Sequence, residues 1–126
     1  MQDDELIEML RGYHESLFPK DCLNCGRRFL TLRDYILDTK PLWPTISYDA
    51  DLSDFRPAHP LGAVSMANCA CGSTLALATD RMPLADYHAL LEWLRTETVA
   101  RGKSRSSLFD YLREEIRRRV IGSNAL

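Results

Sequence analysis

The chain has 126 residues, 45% hydrophobic and 27% charged, which predicts one folded domain over residues 1–126 and argues against wholesale disorder. The formal net charge of −2 argues against a general nucleic-acid binder, and no apolar run approaches the ~20 residues of a membrane helix. The N-terminal stretch MQDDELIEML is acidic, whereas an export signal would be basic. A cytoplasmic location with reduced thiols is therefore expected.

The first predicted helix covers residues 3–18, where apolar residues recur at helical spacing. Its apolar stripe consists of Leu6, Met9, Leu10, Tyr13 and Leu17. We expect Asp3 or Asp4 to cap this helix and Pro19 to mark its end.

A second, shorter helix is predicted over residues 31–39, with Thr31 as its N-cap. Its inward-facing residues are expected to be Leu32, Tyr35 and Ile36. Residues 40–60 contain four of the six prolines. This composition predicts a long loop with one short strand at 45–48.

Two strands are predicted on either side of a Cys-Ala-Cys-Gly turn, forming a hairpin, because apolar residues alternate with small ones there. The alternating residues are Val64, Met66, Leu75 and Leu77. A helix is predicted to begin with Pro83 in its first turn and to stop at Gly102. Ser106 or Ser107 should cap the last helix, whose apolar face comprises Leu108, Leu112, Ile116 and Val120.

The four cysteines form two tight pairs, each followed by glycine. The first pair is Cys22 and Cys25 in CLNCG, and the second is Cys69 and Cys71 in CACG. A glycine after the second cysteine permits a positive φ and lets backbone amides approach the sulfur. Two such turns supply the four thiolates of one tetrahedral site, which predicts a metal ion, zinc before iron, held by all four cysteines. Arg27 and Arg28 are expected to offset its negative charge.

These two motifs resemble the zinc-ribbon and rubredoxin-type knuckle class over residues 21–29 and 68–75. The resemblance implies a structural zinc ion in a small ribbon-like element. The whole chain is then expected to be an α+β domain with four helices packed around this β-hairpin element. Its parts are an N-terminal helix at 1–19, the four-cysteine region at 20–82 and a C-terminal helix pair at 83–126.

The residues leave two other roles open for the cysteines. They could be buried, inert thiols, or they could form a disulfide or a metal-free redox pair. A C-x-x-C-H haem attachment site does not fit, because no histidine follows Cys25. Among the four, Cys69 and Cys71 are expected to be the more readily oxidised, since thiolates one residue apart repel each other unless a metal ion holds them.

Other side chains give weaker signals. His14, His59 and His88 are expected to be ordinary surface or half-buried histidines, although His59 could approach the metal. Asp49, Asp51 and Asp54 are typical of a solvated loop, because the glycine and terminal glutamate of an EF-hand are missing. The sequence contains no Ser-His-Asp, phosphate-loop or H-E-x-x-H signature.

Charge is distributed unevenly along the chain. Residues 1–18 carry a net charge of −4, and residues 101–126 carry +4. Arg113, Arg117, Arg118 and Arg119 are the candidate interaction residues. We expect the basic helix to lie in solvent, to meet the acidic first helix within the chain or across a homodimer, or to bind an acidic protein partner.

The sequence therefore favours a small cytoplasmic zinc-binding module that acts in regulation or protein interaction and is not an enzyme. One alternative is a thiol-based redox sensor in which Cys69 and Cys71 release zinc. A second alternative is a nucleic-acid-associated zinc ribbon, which the interrupted basic patch makes the weaker choice. A third is an enzyme with a pocket formed by Trp43, Tyr48, Phe55 and His59.

Overall fold

The computed structural model describes residues 1–47 and 63–122, which form an α+β fold, as predicted. The helices are α1 (Asp3–Glu15), α2 (Leu32–Asp38), α3 (Leu84–Arg101) and α4 (Arg105–Gly122). The strands are β1 (Lys20–Asp21), β2 (Arg28–Phe29), β3 (Lys40–Ser47), β4 (Ala63–Asn68) and β5 (Thr74–Ala78). None of the helices described is both long enough and apolar enough to span a bilayer.

The strands form two antiparallel sheets. β1 and β2 make a short hairpin in which Asp21 lies opposite Arg28. The larger sheet has the order β3-β4-β5. The predicted hairpin of β4 and β5 is confirmed, with Asn68 opposite Thr74 at the end nearest the turn.

The start of the predicted proline-rich loop is a strand, so this part of the prediction is wrong. β3 begins directly after α2 and pairs with β4 from Lys40 to Ser47, with a register irregularity between Leu42 and Ile46. β3 lies at the edge of the sheet, where a residue without an N–H group is tolerated. Residues 45–47 of the predicted short strand fall within β3, and residues 48–62 lie outside the described chain.

The N-terminus of α1 differs from its prediction. Gln2 is the N-cap, and its backbone N–H donates to the Glu5 carboxylate at 3.3 Å. Asp3 and Asp4, the expected caps, lie in the first turn instead. There their negative charges still interact favourably with the positive end of the helix dipole.

Two other helix starts are also shifted by a residue or more. Pro83 is the N-cap of α3 and precedes its first turn. The hydroxyl of Ser104 accepts a hydrogen bond from the Ser107 backbone N–H at 3.1 Å, so Ser104 takes the capping role predicted for Ser106 or Ser107. The stop at Gly102 is confirmed, with a left-handed φ of 60°. The Thr31 cap of α2 is likewise confirmed.

α4 is the central helix of the fold, since it contacts the other three helices and β3. Its predicted apolar face is buried, as are Leu32, Tyr35 and Ile36 of α2. In α1 the buried residues are Leu6, Ile7, Leu10 and Tyr13. Ile7 was not part of the predicted stripe, whereas Met9 and Leu17 are only partly buried.

Asp3 connects three helices through its carboxylate. It accepts hydrogen bonds from Trp93 Nε1 at 3.0 Å, from Arg101 Nη2 at 2.7 and 2.8 Å, and from the Tyr111 hydroxyl at 3.1 Å. The Arg101 guanidinium also lies over the rings of Trp93 and Tyr111. Burial raises the pKa of Asp3, but the hydrogen bonds from Arg101, Trp93 and Tyr111 outweigh it and lower the pKa.

We expect Asp3→Asn to lower the free energy of unfolding by about 2 kcal/mol, because it weakens several charge-assisted hydrogen bonds at once. Asp4→Asn is the matched control. It changes the same helix turn, but Asp4 is 83% exposed, so a change within about 0.5 kcal/mol is expected. Urea unfolding at neutral pH measures both, and equal effects would contradict the role of Asp3.

The Asp3 contribution should also depend on pH. A lowered folded-state pKa stabilises the protein above the unfolded-state value, and this stabilisation is lost as the pH falls through the folded-state pKa. The difference between the parent protein and Asp3→Asn should therefore be constant near neutral pH and shrink below about pH 4.

Candidate metal centre

The first cysteine pair lies at the tip of the β1–β2 hairpin. Six residues, 22–27, separate the paired residues Asp21 and Arg28. The Cys22 backbone N–H donates to the Arg27 carbonyl at 2.8 Å, and the Gly26 N–H donates to the Cys22 carbonyl at 2.8 Å. Gly26 has a φ of 78°, so the turn uses the conformation that glycine permits.

The second cysteine pair occupies the tip of the β4–β5 hairpin in the same manner. Five residues, 69–73, separate the paired residues Asn68 and Thr74. The Cys69 N–H donates to the Ser73 carbonyl at 2.9 Å, and the Gly72 N–H donates to the Cys69 carbonyl at 2.9 Å. Gly72 has a φ of 94°. The C-x-C spacing is therefore a shorter form of the first turn with equivalent backbone hydrogen bonds.

The two hairpin tips bring the four sulfur atoms together. Cys22 Sγ lies 3.7 Å from Cys71 Sγ, and Cys25 Sγ lies 3.8 Å from Cys69 Sγ. All four Sγ atoms lie within 4.8 Å of one another. A tetrahedron with Zn–S bonds of about 2.3 Å has S···S edges of about 3.8 Å. The donor set therefore fits a tetrahedral metal ion bound by four thiolates.

The two members of each pair differ in burial. Cys22 and Cys69 are buried, whereas Cys25 and Cys71 are exposed. The centre therefore has one half in the protein core and one half facing solvent. A ligand set of this kind would hold a metal ion against the core while leaving two sulfur atoms accessible to reagents.

Hydrogen bonds to sulfur separate the thiol pKa values. The Asn24 side chain, at 3.5 Å, and the hydroxyl and N–H of Ser73 lower the pKa of Cys71 to about 5. The backbone N–H groups of Cys25 and Asn24 lower the pKa of Cys22. For Cys25 the Arg27 backbone N–H lowers the pKa, but desolvation of the sulfur and the neighbouring sulfurs outweigh it and raise the pKa to about 11.

Asn24 and Ser73 are functional residues that the sequence analysis missed. Both are short polar residues inside the two cysteine turns, and both direct hydrogen bonds to Cys71. Hydrogen bonds to sulfur disperse thiolate charge, which a four-thiolate site needs. A polar residue next to a knuckle cysteine is the sequence signal that could have identified them.

The two arginines beside the first turn have carboxylate partners of their own. The Arg27 guanidinium pairs with Asp38 and lies 5.0 Å from the centroid of the Phe29 ring. Arg28 Nε lies 3.9 Å from a carboxylate oxygen of Asp21. Their positive charge is therefore shared with these acids, and the hydrogen bonds to sulfur act on the site more directly.

The predicted interaction arginines of α4 have different environments. Arg113 donates to the carbonyls of Leu42 and Met66. Arg119 pairs with Asp4 and Glu8, so the acidic and basic helices meet within the chain. Arg117 and Arg118 pair with acids of α4 itself, and the Arg118 side chain remains 67% exposed. A role in partner binding stays a prediction for these residues.

The remaining candidates lie away from the sulfurs or outside the described chain. His14 Nδ1 donates to the Leu10 carbonyl at 2.7 Å, and His88 is an exposed residue of α3. Trp43 packs its ring on Arg113. The other predicted pocket and loop residues, Tyr48, Asp49, Asp51, Asp54, Phe55 and His59, lie outside the described residues.

No protein-family model matches the chain, and neither a curated protein nor a solved structure matches it. The function of the cysteine centre is therefore argued from its geometry and chemistry.

The second cysteine turn and helix α1 predict opposite outcomes for two glycine-to-alanine changes. An added Cβ meets nothing within 4 Å at either Gly72 or Gly12, so only the backbone conformation differs. Gly72→Ala should cost about 1–2 kcal/mol of stability, because its φ of 94° is strained for alanine. Gly12→Ala, inside α1, should add about 0.5–1 kcal/mol. Urea unfolding of the metal-loaded protein measures both, and a neutral Gly72→Ala would contradict the strained turn.

Proposed function

We propose that the protein is a small zinc-binding module of the zinc-knuckle type, in which the metal is structural and the module acts in regulation or protein interaction. The observation that carries the proposal is the set of four cysteine sulfurs within 4.8 Å, contributed by two hairpin tips. Four thiolates in this arrangement suit zinc or iron. We favour zinc because a closed site of this kind is the common structural zinc site.

A structural role follows from which parts of the chain the site joins. Cys25 and Cys69 are 44 positions apart, yet their sulfurs are 3.8 Å from each other. A metal ion at this point cross-links the β1–β2 hairpin to the β4–β5 hairpin. Structural zinc can contribute about 10 kcal/mol or more to folding. Four protein ligands complete a tetrahedron, so the ion would have no position for a reacting water.

The surface at the first turn supports a role in protein interaction. Leu23, between Cys22 and Asn24, is 97% exposed, and Leu30, directly after β2, is also exposed. Metal binding would hold the tip that presents Leu23 in one conformation. A rigid exposed leucine loses little entropy when a partner covers it. We therefore expect a protein partner to contact this tip.

Metal analysis of the purified, reduced protein tests the proposal. We expect one zinc ion per chain, loss of zinc in Cys71→Ser, and a large fall in the unfolding midpoint when a chelator is added. Leu23→Ser is the matched control, because it lies in the same turn and contributes no ligand, so its zinc content should be unchanged. A zinc and iron content near zero in the reduced parent protein would overturn the proposal.

A redox sensor is the second candidate function, favoured by the exposure of Cys71. In this scheme hydrogen peroxide oxidises the Cys71 thiolate to a sulfenic acid and releases hydroxide. The Cys69 thiolate then displaces a second hydroxide to form a disulfide. Two sulfurs are oxidised and one peroxide molecule is reduced. The zinc ion is then released, because only two of its four thiolate ligands remain.

The sensor predicts that peroxide releases zinc and that a thiol reductant restores binding. A colorimetric zinc indicator follows the release, and mass spectrometry detects the loss of two hydrogen atoms in the peptide that contains Cys69 and Cys71. Omission of peroxide is the control for spontaneous metal loss. Full retention of zinc under peroxide would exclude the sensor and leave the structural role intact.

A further inference from the structure

A cavity that is partly open to solvent lies among the four helices and the larger sheet. Most of its wall is apolar and includes Leu10, Ile36, Leu77, Phe109 and Leu112. Its volume is about 80 Å³, roughly half that of an engineered 150 Å³ apolar cavity that binds benzene. The space suits the apolar body of a small organic molecule.

The polar part of the wall carries hydrogen-bond donors and also the hydroxyls of Thr39, Ser65 and Thr79, which can donate or accept. His14, Tyr35, Arg113 and Arg117 all line the cavity, and no Asp or Glu is among the described residues that do so. Burial raises the pKa of Tyr35 to about 12, so its hydroxyl stays protonated. A protonated hydroxyl on this wall can donate a hydrogen bond to an anionic or carbonyl oxygen of a ligand.

The two arginines give this wall a positive charge. Within the described residues, Arg113 donates to the neutral carbonyls of Leu42 and Met66 and lies against the Trp43 ring, 4.3 Å from its centroid. Arg117 follows one turn later on α4, and its Nε is 3.9 Å from a Glu114 oxygen. The carboxylates of Asp110 and Glu114 raise the pKa of Arg113, so they offset part of the positive charge on this wall.

Like charges on one wall favour an anion between them. Burial lowers the pKa of Arg113, and the neighbouring Arg117 lowers it further. Burial also lowers the pKa of His14, whose Nδ1 donates to Leu10. His14 is thus neutral near pH 7 and adds a polar edge without a full charge. An anion beside Arg113 and Arg117 would relieve the repulsion between them.

We propose that this cavity binds a small carboxylate with a short apolar body, the body among the apolar side chains and the carboxylate beside Arg113, Arg117 and the Tyr35 hydroxyl. The ligand class follows from charge complementarity. A neutral or cationic molecule of the same shape would add no negative charge beside the arginines. The proposal is independent of the metal centre, because none of the four cysteines lines the cavity.

An NMR titration of the full, metal-loaded chain tests the proposal, with butanoate, hexanoate and octanoate as probes. Backbone amide shifts should localise to residues of the cavity wall. Hexanol and hexylammonium, which share the apolar body, should bind at least about tenfold more weakly, the effect expected for one lost charge-assisted contact. Arg117→Gln should weaken hexanoate binding about tenfold.

Arg118→Gln is the matched control, because it removes an exposed arginine of the same helix and should leave hexanoate binding unchanged. Ser65→Leu, which places a larger side chain on the cavity wall, should abolish binding while retaining the helical circular dichroism. If Ser65→Leu does not fold, the comparison of Arg117→Gln with Arg118→Gln still tests the proposal. Absence of shifts with all three carboxylates, equal binding of hexanol, or equal effects of the two arginine variants would each overturn the proposal.

Discussion

Mutual repulsion of sulfur atoms is the constraint on which the cysteine end of this protein depends. Four thiolates within 4.8 Å cannot all be charged without a cation, since two unit charges about 4 Å apart repel by about 4 kcal/mol at an effective dielectric constant of 20. Protons can supply part of the positive charge, and the thiols differ in how firmly they hold them: hydrogen bonds from Asn24 and Ser73 lower the pKa of Cys71 to about 5, whereas desolvation and the neighbouring sulfurs raise that of Cys25 to about 11. One divalent ion would replace those protons at all four sulfurs.

The two sheets depend on this centre to different extents. β1 and β2 have two residues each, and a hairpin of that size is not stable alone in water. The larger sheet has longer strands and packs through β3 on α4. We therefore infer that removal of a bound ion would loosen the first cysteine turn before the core around α4. This order follows from the local stability of the elements rather than from the metal site alone.

The conformation of the two cysteine turns was predictable from sequence, because the chemistry of such a turn is local. Each cysteine pair carries its own glycine, and both glycines adopt the positive φ that the motif requires. β3 was not predictable in the same way. Prolines normally indicate a loop, and only the edge position of β3 in the sheet makes them acceptable. Sheet order is a long-range property that no window of sequence near Lys40 contains.

The Asp3 contacts were likewise not predictable from the local sequence. Aspartate at the start of a helix is a good cap, and the local pattern offers no reason to expect otherwise. Its partners Trp93, Arg101 and Tyr111 lie at least 90 positions away. Their convergence depends on how α3 and α4 pack on α1. The carboxylate is therefore used in tertiary contacts, and Gln2 takes the capping position.

The arginines of α4 separate according to the helical period. Leu112 and Ile116 mark the buried face of the helix, and each residue is turned by about 100° from the one before. Arg113 and Arg117 thus flank that face on the side of the cavity, whereas Arg119 flanks it on the side of α1. Arg118 points away from both and remains exposed. In the sequence these arginines form one basic segment. In the helix they lie in three different environments: an ion pair with α1, the cavity wall and the solvent.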